Sequence, residues 1–292
     1  MNRSRGNFQP GKLIADVVLY AALLLLALTV ALPMVNLVIS AFKPDAGFLD
    51  SLFLPKGDGL FGVDWGGLTL VQFKRLFSGD VGIGRAVLNS LVLSTATALL
   101  ATACCSAAGY ALAMFDFRGR RIADWLVIAA LVIPPPLLLA PGYQWLFDLG
   151  LLNSYWGVIL PAAAPAFGVF LFRQAAKQSV SKSTLEAARI DGAGEATIFL
   201  GVALPMLRPM VGAFVMITFL GMWNNFIGPQ IVLQTESKQP LAIVIFEAKT
   251  AYYTDYGLLM AGTLVSVLPV VALFVLLQRE FIAGLSSGAI KG

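Results

Sequence analysis

The chain has 292 residues, 58% of them hydrophobic and 12% charged, and its mean hydropathy is +0.82. Soluble domains carry about a quarter charged residues, so these values exclude a soluble globular fold; they also exclude disorder, which needs low hydrophobicity and high net charge. Histidine is absent, which removes imidazole catalysis and imidazole metal ligation, and the net charge of +4 is spread in a way that points to a membrane and not to nucleic acid.

Six stretches of at least 20 residues contain no Asp, Glu, Lys or Arg: 17–42, 86–115, 125–147, 149–172, 209–235 and 256–278. About 20 helical residues cross the roughly 30 Å hydrocarbon core of a bilayer. Six transmembrane helices are therefore predicted, in an all-α membrane protein. A β-barrel would need period-2 alternation, and Ala21–Val30 is apolar on every face. The first run is longer than a signal-peptide core and no small-residue cleavage site follows, so it reads as a retained anchor. With the N-terminus inside, the inner segments hold thirteen Lys and Arg and the outer segments seven, with Arg118, Arg120 and Arg121 the densest cluster. The positive-inside rule then predicts both termini in the cytoplasm.

Between the first and second spans lies an outer loop, 43–85, rich in Gly, Asp and aromatics (Phe48, Phe53, Phe61, Trp65, Phe73, Phe77). It reads either as a lid or docking surface or as an ordered connector over helix ends. The second span carries small residues every four positions, Ala101, Cys105 and Gly109, a close-packing face in which the cysteines Cys104 and Cys105 act as small side chains and not as redox groups. In the third, Pro134-Pro135-Pro136 predicts a break, since proline removes a backbone donor and clashes with the preceding turn. Broken helices are tolerated at membrane depth where the backbone is buried or lines a cavity, which suggests a path through the bundle. Single prolines at 33, 161, 165 and 269 read as packing kinks.

The inner segment 173–208 predicts a helix–turn–helix. Ser183-Thr184-Leu185-Glu186 fits a capping box, Gly192 suits a helix-ending left-handed turn, and a second short helix runs from Glu195 to Leu204, stopped at Pro205. The small Ala187 and Ala188 favour close approach of another protein over contact with lipid. Further along, the fifth span holds Trp223-Asn224-Asn225, which with Asn89 of the second forms a candidate substrate path: amides and a flat apolar face suit a neutral polyhydroxy ligand. Helix–helix hydrogen bonding is the plainer reading of any one of these residues.

Several chemistries are missing. No carboxylate, lysine or arginine sits inside the six runs, which argues against proton or sodium coupling, since coupled carriers bury carboxylates. Gly6–Lys12 starts like a P-loop but has Leu13 where Ser or Thr would hold Mg²⁺. No metal-spaced cluster and no nucleophile–base pair is present, so the chain carries no cofactor or metal of its own and is not an enzyme.

Glu186-Ala187-Ala188-Arg189-Ile190-Asp191-Gly192-Ala193, with Phe199, Leu204-Pro205 and Pro209 after it, resembles the EAA loop of binding-protein-dependent ABC importer permeases. The likeness extends to Asn89-Ser90, Ala108–Ala113, Trp223-Asn224 and the ending Gln278–Leu285 with Ile290-Lys291-Gly292, which resemble the carbohydrate branch and its MalG-like subunit. The resemblance implies a type I ABC importer permease fold in one transmembrane domain, 1–292, lying in the cytoplasmic (inner) membrane of a bacterium or archaeon. It implies as partners a second, MalF-like permease, a homodimeric cytoplasmic ATPase that holds ATP and Mg²⁺, an extracytoplasmic solute-binding protein and a carbohydrate. It assigns Glu186, Ala187, Ala188, Asp191 and Gly192 to the ATPase contact. Asn225 and the long outer loop depart from the common pattern. The other readings are a permease for another solute, such as a phosphorylated polyol, and an ion-coupled secondary carrier, which would need an inverted repeat that the two halves do not display.

Overall fold

The computed structural model describes residues 10–44, 48, 51, 54–78, 82–250 and 255–289. Most of Gly6–Lys12 and the tail Ile290–Gly292 lie outside them, as does Phe53. Among the described residues the fold is helical, with one isolated bridge between Lys56 and Val63.

Three helices are long and apolar enough to cross a membrane unbroken: α1 (Pro10–Ser40), α3 (Ile83–Met114) and α14 (Tyr256–Ala289). Three more crossings form only if bent pairs count as one span each. The 125–147 run becomes α4 (Arg120–Val132) and α5 (Leu139–Asp148), bent by 102° at the proline triplet. Pro134 is extended there, and Pro135 opens a short 3₁₀ turn into α5. The 149–172 run becomes α6 (Tyr155–Ile159) and α7 (Ala166–Ser179), bent by 42° around Pro161 and Pro165. Pro33 and Pro269 stay inside continuous helices. One missing donor is absorbed where neighbouring turns persist; three in succession are not.

The fifth run departs from its expected length. Its helix, α11 (Arg208–Trp223), ends thirteen residues before the next charge, Glu236, and the chain resumes as the short α12 (Ile227–Val232). Asn224 and Asn225 cause the stop. Asn224 Nδ2 donates to the Leu220 carbonyl, and Asn225 Oδ1 accepts from the Gly228 amide, starting α12 in a new direction.

The bundle is organised on α3, which packs along α7 and α11, while α11 packs on α14 and α14 on α1. The small-residue face explains the close approach. Ala101 and Cys105 are fully buried, and a Cβ on Gly109 would lie 2.6 Å from both Phe172 Cβ and the Arg173 amide nitrogen. Gly168 and Gly212 repeat the device against Phe214 and against Glu280. Ion pairs also bind helix to helix in the bundle, among them Arg173 to Asp124 across α7 and α4 at 2.7 Å and Arg208 to Glu280 across α11 and α14 at 3.3 Å. By contrast α1 buries none of its apolar window against this chain, so its surface is left for lipid or another subunit.

Of the 43–85 segment, the described part is mostly connector. The helix α2 (Val71–Phe77) lies on α14, held by Arg75 to Asp255 at 2.6 Å. Lys43 is buried; its ammonium donates to the Ser51 carbonyl at 2.7 Å and sits over the Phe48 ring, and burial pushes its pKa down. A turn at 54–67 nonetheless presents Phe61 to solvent at φ 62°.

Candidate coupling hairpin and cavity

At one end of the bundle a core of Tyr110, Leu112, Phe172, Ala176, Val180 and Leu207 extends into a hairpin made of α8 (Lys182–Ile190) and α9 (Glu195–Ile198). Leu185 and Ile198, one from each helix, are fully buried in that core and anchor the hairpin. With the exposed Ile190 they are the large apolar residues of otherwise small or polar short helices, a pattern that could have marked them in the sequence.

The start of α8 differs from the expected capping box. Its N-cap is Ser181, two residues early, and no side chain caps the first turn; Ser181 and Ser183 bond each other at 2.7 Å instead. Ser183 therefore lies inside the helix. The end of α8 is as expected. Gly192 takes φ +83°, its amide bonds the Arg189 carbonyl, and the Ala193 amide bonds the Ala188 carbonyl. These two bonds form a complete Schellman motif, which only a left-handed residue at Gly192 allows. Beyond it, α9 does not stop at Pro205. A π turn over Phe199–Ala203 leads into α10 (Leu204–Met206), and the break falls at Leu207, where the chain turns by 81° into α11. The wider π turn accommodates the donor that Pro205 lacks.

The two faces of α8 have separate roles. Leu185 and Ala188 turn inward onto the core, whereas Glu186, Ala187, Ile190 and Asp191 are exposed. Ile190 is 86% exposed, an isoleucine presented to solvent between two carboxylates and an alanine. Sequence reasoning paired Ala187 with Ala188 as docking residues and passed over Ile190; the helical spacing of Glu186 and Ile190 places those two on one face. Arg189 reaches across the turn to Glu195, Nε to Oε1 at 2.7 Å and Nη2 to Oε2 at 3.3 Å. That bond and the opposite charge hold the Glu195 carboxyl below, and the Arg189 guanidinium above, their ordinary values.

The second candidate site is a cavity of about 270 Å³ at the broken third span. Leu138 and Leu139 after the proline triplet, Tyr143 and Trp145 of α5, Pro161, and Asn225 with Gly228 at the start of α12 are among its walls. Of the four residues expected on a substrate path, Asn225 lines it. Asn89 is buried elsewhere with its amide engaged: Nδ2 donates to the Ser237 and Gln239 carbonyls at 3.0 and 2.9 Å, and Oδ1 accepts from the Tyr155 hydroxyl at 2.7 Å. Trp223 is buried and stacks on Phe219 at 5.7 Å. Asn224 is exposed at the end of α11. No group of three or more metal-ligating side chains exists among the described residues.

Residues 105–286 match the family described as "Binding-protein-dependent transport system inner membrane component". Among curated proteins, the chain is 36% identical over 272 residues to the arabinooligosaccharides transport system permease protein AraQ of Halalkalibacterium halodurans, covering 91% of this chain and 93% of that one. It is 32% identical to the diacetylchitobiose uptake system permease protein NgcG of Streptomyces coelicolor, covering 93% and 88%. Among solved structures, a chain of a bacterial ABC transporter involved in the import of the acidic polysaccharide alginate superposes with a TM-score of 0.76 at 22% identity, over 95% of this chain and all of that one. That likeness establishes the shared fold.

Proposed function

This chain belongs to the family of binding-protein-dependent transport system inner membrane components, and on that premise we propose that its α8–α9 hairpin is the element through which ATP hydrolysis on a partner drives solute import. It is a multi-pass membrane transport subunit, and catalysis belongs to a separate ATPase. In this reading both termini are cytoplasmic, 43–85 lies outside, and 173–208 forms the cytoplasmic coupling loop within a single domain. The observation that carries the reading is the hairpin itself. A short helix is fixed to the bundle core by Leu185, ended by the Gly192 turn, and exposes Glu186, Ala187, Ile190 and Asp191 on its outward side. An apolar centre with a charged rim is the composition of a protein-docking face.

The partners that complete the system are a MalF-like permease, a homodimeric ATPase and an extracytoplasmic binding protein. The cargo is a carbohydrate, the class carried in the names of AraQ and NgcG. The cavity at the proline break suits it, since Tyr143 and Trp145 supply flat apolar faces and Asn225 an amide. None of the lining residues is charged, which disfavours an anionic cargo such as a phosphorylated polyol at this wall. Asn225 faces the path; Asn224 is exposed at the end of α11, and Asn89 and Trp223 are buried outside the cavity lining.

The test is co-purification of the ATPase with the tagged chain from native membrane. Glu186→Lys, which reverses a charge on the docking face without touching the core, should lose the ATPase while the second permease stays bound. Full ATPase recovery with Glu186→Lys would refute the docking face.

A further inference from the structure

The connector between α8 and α9 is poorly suited to transmitting force. It contains two glycines in four residues, Gly192 and Gly194, and a Cβ on either would meet no atom within 4 Å. The α9 helix has four residues and no side-chain cap. Leu185 ties α8 to the core, and a push on the exposed face of α8 would pivot it about that point by bending the connector.

One cross-link spans it. Arg189, in the last turn of α8, and Glu195, first residue of α9, meet as a fork of two parallel hydrogen bonds, 2.7 and 3.3 Å long. A bidentate fork fixes the angle between its two backbones as well as their separation, which a lysine at the same site would not do. Close by, Tyr110 is wedged between Phe115 and Phe199 with ring centroids 5.6 and 5.2 Å away, so the hairpin rests on a rigid aromatic step. Both charged side chains are more than a third exposed, and exposed pairs contribute little to global stability. What the fork can supply is geometry.

We propose that Arg189 and Glu195 are positioning residues, a staple that makes α8 and α9 move as one lever, so that displacement of α8 by the ATPase reaches Pro205 and α11 in place of being absorbed at Gly192–Gly194. This rests on the coupling role assigned to the hairpin above. The docking residues grip the ATPase; the staple decides how much of the grip is transmitted.

The experiment uses the whole complex in liposomes, with the binding protein purified from its native host and still holding its own sugar. ATP hydrolysis and the arrival of that sugar in the lumen, counted by mass spectrometry, are measured together. Arg189→Gln, Arg189→Lys and Glu195→Gln should each lower sugar delivered per ATP by at least about fivefold, the low end of coupling between linked sites. Subunit composition and melting temperature should stay those of the wild type. The exchange Arg189→Glu with Glu195→Arg should recover most of the loss, which a purely local packing defect would not allow. The staple is overturned if Glu195→Gln delivers as much sugar per ATP as the wild type, if the exchange is no better than the single changes, or if the single changes release the ATPase, which would make these docking residues. If the wild-type complex itself delivers sugar without ATP, the coupling role fails and the staple with it.

Discussion

Gly192 shows how much one backbone angle decides. Its φ of +83° costs a residue with a Cβ about 1–2 kcal/mol, and the surrounding space is open, so the penalty is conformational and not steric. Substitutions should therefore rank by tolerance of the left-handed region: Gly192→Asn should retain part of the transport, Gly192→Ala less, and Gly192→Val least, with membrane insertion intact in all three. A ranking by side-chain volume alone, with Asn below Ala, would contradict this. The Arg189–Glu195 fork has a pH signature of known sign. The Glu195 carboxyl is held below its ordinary value by the Arg189 hydrogen bond and charge, with Tyr110 and Glu186 the other titratable groups acting on the pair. A depressed carboxylate pKa keeps its contribution above the unfolded value of about 4.3 and loses it as pH falls through the lower folded value. Sugar delivered per ATP should thus stay level from neutral pH down to about 5. A decline between pH 7 and 6 would point to another group. Asn89 belongs to the same scale but to a different task. Its amide joins α3 to the segment before α13 (Leu241–Thr250) and to Tyr155 of α6. Asn89→Leu should strand those partners at a cost of about 1–3 kcal/mol, read as a lower melting temperature in detergent with cargo preference unchanged.

At the scale of elements, the structure rests on helices that approach closely at glycines. The α3–α7 crossing at Gly109 leaves no room for a methyl group, since both a side chain and the facing backbone stand 2.6 Å from where it would lie. Gly109→Ala should cost about 1–3 kcal/mol through overpacking and lower the melting temperature, whereas the same change at Gly142, which faces open space, should leave it unchanged. The four-residue spacing Ala101, Cys105, Gly109 announced this face because helical periodicity is a local rule. The proline triplet announced its break for the same reason. Other features were not local. The capping residue proved to be Ser181 because helix starts slide by a turn when several hydroxyls compete, and Ser181 and Ser183 satisfy one another. The Arg189–Glu195 fork joins positions six apart across a turn, a separation for which no helical or strand periodicity exists. The fifth span's early end at Trp223 was masked by the apolar residues that follow it, although Asn224-Asn225 held the signal.

At the scale of the molecule, absence of charge marked three unbroken helices long enough to cross a membrane and stretches that fold as bent pairs, which make six crossings if each pair is one span, and the EAA-like stretch located the hairpin. The candidate path was legible only in part. Amide and aromatic side chains were visible in the sequence, but whether an amide faces a cavity or a neighbouring carbonyl depends on contacts between residues more than a hundred positions apart, as Asn89 with Ser237 and Gln239 shows. Two of the three breaks, at the proline triplet and at Pro161, border the cavity, where a path would need backbone that is not committed to a straight helix, and the third, at Leu207, lies in the core under the hairpin. The bare apolar surface of α1 is left for lipid or another subunit, and the exposed face of α8 carries the proposed contact with the ATPase.

On the proposed function, ATP drives solute through this subunit by way of the α8–α9 hairpin. The most direct measurement compares sugar uptake by liposomes holding the complete complex, wild type against Gly192→Val, with and without ATP and the loaded binding protein. Uptake should require both, and the Gly192→Val complex should keep its ATPase subunits but deliver no sugar. Uptake that proceeds without ATP, or a Gly192→Val complex that imports at the wild-type rate, would contradict it.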